Sequence, residues 1–196
     1  MMIKTKFWGE VEINEEKIIT LADGLIGFEE YKKYVMFPHE KDANFQWLQS
    51  AETPFLCFLI TTPLSFMFDY SIEITDNTVE KLKITAPEDV AIYCLVTVPE
   101  DPLKISANLA GPLIINANEL SGEQVVIMDP KYSIKHYILD ELRTNAPMLI
   151  ENISNTLMGG MNVETPAAKQ EESIFAGGAL PDLEEAMKVC NSLINQ

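Results

Sequence analysis

The side chains best suited to chemistry are few in this chain and lie far apart in sequence. The two histidines, His39 and His136, fall in different segments, and there is no HExxH pattern or Cys/His cluster of the kind that binds zinc. Cys57 and Cys94 lie within apolar runs and have no metal-ligand spacing, so both are expected to be reduced core residues. No Walker loop, GxGxxG or GxSxG motif occurs. The sequence therefore predicts no catalytic, metal or cofactor site.

Adjacent carboxylates are the other feature that could perform acid-base chemistry. They occur at Glu29 with Glu30, Glu100 with Asp101, and Glu184 with Glu185. Neighbouring residues of an extended strand point to opposite faces, so these pairs do not converge as a catalytic pair would. For Glu100 and Asp101 a turn role and a protein-binding role stay open. Catalysis is disfavoured because nothing nearby supplies a nucleophile or a metal.

Acidic side chains greatly outnumber basic ones along the 196 residues. The 30 aspartates and glutamates against 14 lysines and arginines give a formal net charge of −16. Such a charge repels nucleic-acid phosphates and anionic lipids, so direct binding to nucleic acid is not expected. It suits a basic partner protein, and the alternative, that acidity only maintains solubility, also stays open.

The N-terminal residues do not resemble an export signal. Residues 1–16 mix charged side chains among isolated apolar ones, without an apolar core segment. No apolar run approaches the ~18 residues that span a bilayer. We therefore expect a cytoplasmic protein with no membrane segment.

Strand-like segments dominate the first ~140 residues. They are Ile3–Trp8 with a hairpin through Gly9, Tyr34–Phe37, Phe45–Ser50, Phe55–Thr62, 89–98, Leu113–Ile115, and 123–129 after a Ser121-Gly122 turn. Residues 76–83 are the best internal helix candidate, with Asp76 as the cap. Many short strands with little helix and no βαβ alternation predict a mainly all-β fold, a compact β-barrel-like domain of short antiparallel strands with one or two short helices.

Two sets of apolar residues have distinct predicted places in this domain. Phe66, Phe68 and Tyr70 alternate as one aromatic face of a strand would, and either core packing or an exposed partner contact explains them. The candidates for the barrel interior are apolar and would fill a small barrel: Phe58, Ile60, Ile92, Cys94 and Val96.

The character of the sequence changes after Leu142, which divides a domain of residues 1–142 from an extension of residues 143–196. A first amphipathic helix is predicted to begin at a cap on Asn145, and a polar linker follows it. A second predicted helix repeats apolar residues on one face, at Leu183, Met187, Cys190 and Ile194. This helix either docks on the protein's own core or engages a groove of a partner.

Four segments of residues 2–142 match, in order, the pattern of a known family. They are LADGLIGFEEYKKYVMF, FQWLQSAETPFLCFLITTP, VAIYCLVTVPEDPLKISANLAGPLIINA and GEQVVIMDPKYSIKHYI. Their ordered combination resembles the flagellar assembly factor FliW, and TVPEDP followed by ANLAGPLIIN is the strongest part. Ile26 stands where a GLPGF-like turn would have proline, which removes rigidity from that turn without touching any chemistry.

The resemblance implies a compact β-barrel-like fold and a non-enzymatic role. FliW proteins bind flagellin in the cytoplasm, as a chaperone, and also bind CsrA, a dimeric RNA-binding translational repressor. Binding to CsrA relieves repression of flagellin synthesis, and accumulating flagellin occupies FliW. An acidic protein without catalytic apparatus agrees with this role, because it could bind near a basic RNA-binding surface and exclude phosphate there.

The residues predicted to contact a partner are Glu100 and Asp101 as an acidic rim, Asn108 as a loop organiser or backbone partner, and Phe66, Phe68 and Tyr70 as an aromatic contact. The extension is predicted to modulate partner binding by covering a groove on the barrel. The alternative function is that of a β-barrel ligand-binding protein or enzyme, which would need a deep interior pocket with converging polar groups.

Overall fold

A closed barrel of seven short strands forms the centre of the computed structural model, which describes residues 1–39 and 43–145. The α-helices within these residues are α1 (Asp76–Lys81) and α2 (138–145). The strands are β1 (Met2–Lys4), β2 (Glu10–Glu12), β3 (Ile19–Leu21), β4 (Lys33–Pro38), β5 (Phe45–Ser50), β6 (Cys57–Thr61), β7 (Val90–Thr97), β8 (Ser106–Ala107), β9 (Leu113–Asn116), β10 (Ser121–Gln124) and β11 (His136–Tyr137). The predicted class, mainly all-β and barrel-like, is confirmed.

Closure of the barrel depends on β7, the longest strand. Its first half pairs with β9, and its second half pairs with β6 and then with β8. The ring continues from β6 through β5, β4 and β3 to β10, which returns to β9. All of these pairs are antiparallel except β10 with β3. The apolar, β-branched composition of β7 suits a strand that is covered on both faces.

The first hydrophobic core fills the barrel. Residues on one strand alternate between its two faces, and one face of the barrel strands contributes a continuous set of buried side chains: Ile19, Leu21, Leu25, Tyr34, Leu48, Leu56, Phe58, Ile60, Leu113 and Ile115. On β10 the same face carries Gly122. A Cβ there would lie 2.7 Å from Leu21 Cδ2 and 3.0 Å from the carbonyl oxygen of Ile114, so the barrel closes tightly at this strand.

The second core lies on the outer face of β4 to β8. The β1–β2 hairpin covers part of it, with the Trp8 ring 5.0 Å from Phe37 and 6.2 Å from Trp47. The segment after β6 and the start of α2 cover the rest, through buried Phe66 and Ile138. The domain therefore has two apolar layers that share the barrel wall.

The prediction of interior residues is wrong for three of the five. Phe58 and Ile60 belong to the barrel core, whereas Ile92, Cys94 and Val96 pack in the outer core. Strand β7 is apolar at nearly every position, so its sequence does not show which alternate set faces inward.

Three local predictions need correction. Residues 125–129 are not a strand, because Ser121 and Gly122 belong to β10 and the preceding turn spans residues 117–120, with Leu120 at φ 49°. The alternating aromatics of residues 66–70 are not a strand either, since a 3₁₀ helix, Pro63–Ser65, leads into turns. Thr75, not Asp76, caps α1, and its Oγ1 accepts the Thr78 N–H at 3.3 Å.

Helix α2 crosses the predicted domain boundary at Leu142. Its eight described residues include Asn145, which was predicted to begin a helix. The Asn145 side chain donates to the Phe66 carbonyl oxygen at 3.2 Å and to Glu141 Oε1 at 3.0 Å, so α2 is attached to the segment after β6. The remainder of the first predicted helix, the linker and the second predicted helix lie outside the described residues, and the division at 142 stays a prediction.

Candidate partner-binding surface

Glu100 and Asp101 lie on the connection that leads from β7 into β8, and both are exposed. Asp101 caps the 3₁₀ helix Pro102–Lys104, because its Oδ1 accepts the Leu103 N–H at 3.1 Å. Its other carboxylate oxygen lies 3.7 Å from Lys104 Nζ. No ion pair within the described residues involves Glu100. Asp101 therefore serves the turn, and Glu100 directs its charge to the solvent.

Asn108 follows β8 directly and is half-buried. Its backbone N–H donates to the carbonyl oxygen of Leu95 at 2.9 Å. Its amide packs so closely on Gly111 that a Cβ there would be 2.8 Å from Asn108 Nδ2. The position thus organises the loop between β8 and β9, and a contact between Asn108 and a partner stays a prediction.

The aromatic residues divide between the core and the surface. Phe66 and Tyr70 are buried, and the Tyr70 hydroxyl donates to the Leu109 carbonyl oxygen at 2.9 Å while its ring lies 4.6 Å from that of Tyr132. Burial raises the pKa of Tyr70. Phe68 is 44% exposed, so it alone of the three offers its side chain to a partner.

Strand β8 brings several of these residues into one region. The Leu109 N–H donates to the Ser133 carbonyl oxygen at 3.0 Å, and the Ile138 N–H donates to the Ile105 carbonyl oxygen at 3.1 Å. Tyr70 lies in the same region, because its hydroxyl donates to the Leu109 carbonyl oxygen. The aromatic segment, the Asn108 loop and residues 133–138 therefore meet along β8, and the Glu100–Asp101 connection enters this strand from the opposite end.

A strip of exposed apolar side chains on the same region was not predicted from the sequence. It consists of Val126, Met128, Ile134 and Tyr137, which are 62%, 90%, 75% and 37% exposed, and we call it the 126–137 strip. The segment is held to the domain by the Ile127 N–H, which donates to the Ala110 carbonyl oxygen at 2.8 Å. Residues 125–128 are apolar at every position, and an unbroken apolar run does not reveal which face meets water.

Two lysines lie along the strip, one of them in an ion pair. Lys131 Nζ lies 2.7 Å from Asp69 Oδ2, and this hydrogen bond lowers the pKa of Asp69 and raises that of Lys131. Lys135 Nζ lies 5.7 Å from the centre of the Tyr137 ring, within the range of a cation–π contact. Within the described residues Lys135 forms no ion pair, so the strip combines apolar side chains with one lysine that is free to meet a negative charge.

The described residues hold no group of three or more His, Cys, Asp and Glu side chains placed to bind a metal ion. His136 is near Glu141, with Nε2 2.9 Å from Oε2. Among the side chains of the barrel core named above, Tyr34 is the one that carries a polar group, a buried hydroxyl. Within residues 1–39 and 43–145, no helix has both the length and the apolar character needed to cross a membrane.

The turn of residues 24–29 contains Ile26, which stands where a GLPGF-like turn would have proline. Gly24 and Gly27 adopt φ values of 75° and 84°, as tight turns require. The Ile26 N–H donates to Gln124 Oε1 at 2.9 Å, and Gln124 Nε2 donates to the Gly111 carbonyl oxygen at 3.0 Å. A proline at this position has no N–H, so the isoleucine permits a bond between this turn and β10.

These elements define the class: a small closed β-barrel with a second core outside it and a loop surface around β8. Residues 2–138 match the family model described as FliW protein. The flagellar assembly factor FliW of Alkaliphilus metalliredigens is 42% identical over 144 residues, which are 73% of this chain and 89% of that protein. The protein of the same name from Treponema denticola is 42% identical over 142 residues, 72% of this chain and 96% of its own length.

A solved structure agrees with this relationship. The crystal structure of the flagellar assembly factor FliW superimposes with a TM-score of 0.67 at 38% identity, over 70% of this chain and 96% of that chain. The chain belongs to the FliW family.

Proposed function

We propose that this protein is a non-enzymatic, cytoplasmic assembly factor that binds two partners. It binds flagellin as a chaperone, and it binds CsrA and so relieves the repression of flagellin synthesis. The observation that carries this proposal is the family match over residues 2–138, which spans the complete barrel and the loop surface around β8. Relatives that share these residues are named flagellar assembly factors.

The exposed carboxylates support the CsrA part of the proposal. A protein that binds RNA presents a basic surface to the phosphates. Glu100 and Asp101 are exposed on a connection braced by a 3₁₀ helix, and the chain carries a net charge of −16. Carboxylates held there would attract the basic surface and repel RNA phosphates from it.

Titration of the purified full chain with CsrA and, separately, with monomeric flagellin tests the proposal. We expect stoichiometric binding of both in calorimetry, and release of a labelled RNA from CsrA as this protein is added. Flagellin added to that mixture should restore the CsrA–RNA complex. Absence of stoichiometric binding to both partners would contradict the proposal.

A matched control separates specific binding from non-specific charge effects. An unrelated acidic protein of similar size and net charge should leave the CsrA–RNA complex intact at the same concentration. Equal release of RNA by that control would show that bulk negative charge, and not the surface around β8, displaces the RNA.

A further inference from the structure

We propose that residues 181–196 of this same chain dock on the 126–137 strip, so that the C-terminal extension covers that surface in cis. The inference goes beyond the proposed function, because it concerns an intramolecular contact and needs neither flagellin nor CsrA. The exposed apolar side chains of the strip, the lysine beside them, and the length of chain beyond residue 145 support it.

The strip is an apolar surface without a cover in the described part of the chain. Ile127 and Tyr132 of the same segment point inward and pack in the outer core, while Val126, Met128 and Ile134 point to the solvent. An exposed group of apolar side chains on an otherwise highly charged protein marks a contact surface. Backbone hydrogen bonds to residues 105–112 hold the segment in place, so the surface is already formed.

One lysine of the strip and the acidic extension are complementary in charge. Lys135 follows the exposed Ile134 and forms no ion pair within the described residues, whereas Lys131 is already paired with Asp69. Residues 146–196 contain seven acidic and two basic side chains. Residues 181–196 combine an apolar stripe that includes Leu183 and Cys190 with acidic residues in the predicted first turn. An amphipathic helix of this kind fits an apolar surface that has a positive edge.

The extension is additional to the barrel that the relatives share. The family match ends at residue 138, and 144 residues of this chain account for 89% of the Alkaliphilus protein. The described chain ends at Asn145, which contacts the domain through Phe66. The 44 residues between Asn145 and Cys190 could span roughly 150 Å when extended, whereas a domain of this size has a radius of gyration of only about 15 Å. The length of the connecting chain therefore permits docking anywhere on the domain. The exposed apolar side chains and the lysine of the strip are the reason to expect docking there.

Disulfide trapping in the full chain tests the contact, with native Cys190 as one partner. The variant Met128→Cys places a thiol on the strip, and Met2→Cys places one on the exposed part of β1 as the matched control. Cys57 and Cys94 are buried, so the parent protein gives the background. Each protein is oxidised with diamide at low concentration, and the rate of intramolecular linkage is followed by mass spectrometry of peptides.

Docking predicts that Met128→Cys links to Cys190 roughly tenfold or more faster than Met2→Cys, because docking raises the effective concentration above what the connecting chain alone provides. Equal rates at the two sites, or no linkage at Met128→Cys, would overturn the proposal. Linkage between two chains in place of linkage within one would also overturn it, since a second copy would then cover the strip.

A second pair of variants tests whether the apolar stripe of residues 181–196 makes the contact with the strip. In the Met128→Cys background, Leu183→Asp should slow the linkage to the rate of the Met2→Cys control. Ser192→Asp adds the same charge on the opposite face of the predicted helix and should leave the rate within about twofold. If Leu183→Asp left the rate unchanged while Ser192→Asp slowed it, docking through the apolar stripe would be ruled out.

Discussion

The barrel interior and the 126–137 strip use similar side chains in opposite ways. Inside the barrel, apolar residues from neighbouring strands meet each other, and Leu113 is fully buried. Along the strip, apolar residues of comparable size face the solvent, and Met128 is 90% exposed. Burial is what converts an apolar side chain into stability. The interior therefore determines whether the chain folds, and the strip is available to bind.

Truncation in the barrel core should give the largest effect on stability. Leu113→Ala removes a fully buried side chain from β9 and leaves a cavity, so we expect a loss of about 2–5 kcal/mol in the free energy of unfolding. Met128→Ala, on the strip, should change it by less than about 0.5 kcal/mol. Denaturant unfolding measures both variants. Similar losses for the two would show that the strip is part of a core.

Overpacking at Gly122 of β10 should lower the free energy of unfolding somewhat less than truncation of Leu113. Gly122→Ala adds a Cβ 2.7 Å from Leu21 Cδ2, and we expect a loss of about 1–3 kcal/mol in the free energy of unfolding. A double-mutant cycle with Leu21→Ala checks the cause, because the cost of Gly122→Ala should fall once the leucine is shortened. A cost that is independent of residue 21 would assign the clash to the Ile114 carbonyl oxygen and to Ile115 Cγ1, which lie 3.0 and 3.2 Å from the added Cβ.

The outer core should respond to the loss of a single hydrogen bond. Tyr70→Phe removes the hydroxyl that donates to the Leu109 carbonyl oxygen, so we expect a loss of about 0.5–1.5 kcal/mol in the free energy of unfolding. Tyr137→Phe makes the same chemical change on the strip and should have almost no effect. Thermal unfolding followed by circular dichroism compares them. Equal shifts in Tm would mean that the Tyr70 bond adds nothing to stability.

The smallest effect on stability is expected from loss of the Lys131–Asp69 ion pair beside the strip. The hydrogen bond from Lys131 keeps the pKa of Asp69 below that of an aspartate in the unfolded chain, about 3.9. The stabilisation is therefore present above about pH 4 and is lost as the pH falls through the lower, folded pKa. Asp69→Asn should lower Tm slightly near pH 7 and progressively less as the solution is acidified below about pH 4. A Tm difference that grows with acidity would contradict this assignment.

The sequence predicted the fold class because many short apolar strands at close spacing, with little helix, leave few architectures that can bury them. Strand β5 was predicted with its observed limits, Phe45–Ser50. The inward face of β7 was not predictable, since a strand that is apolar at nearly every position shows no polar face that would mark the solvent side. The register of β10 was missed for a related reason: Gly122 looked like a turn residue, whereas its missing side chain makes room for Leu21 in the barrel.

The surface was harder to predict than the fold. Phe66, Phe68 and Tyr70 formed a regular pattern, but a 3₁₀ helix and turns bury two of them and expose one. The exposure of Glu100 and Asp101 followed from charge. The 126–137 strip depends on hydrogen bonds to residues 105–112, a long-range pairing that no local pattern reveals.

The acidic connection between β7 and β8 gives the most direct test of partner binding at this surface. The double variant Glu100→Gln/Asp101→Asn removes two charges while asparagine keeps the capping bond to the Leu103 N–H. Glu15→Gln/Glu16→Gln removes the same two charges from another exposed 3₁₀ helix, Glu15–Lys17.

Calorimetric titration of both variants with CsrA, at about 0.01 M and 1 M salt, decides the question because salt at the higher concentration screens exposed charges. We predict that Glu100→Gln/Asp101→Asn weakens binding roughly twofold to tenfold at low salt and much less at high salt, while the control binds like the parent. Equal weakening by the two variants, or unchanged binding by both, would contradict a partner contact at Glu100 and Asp101.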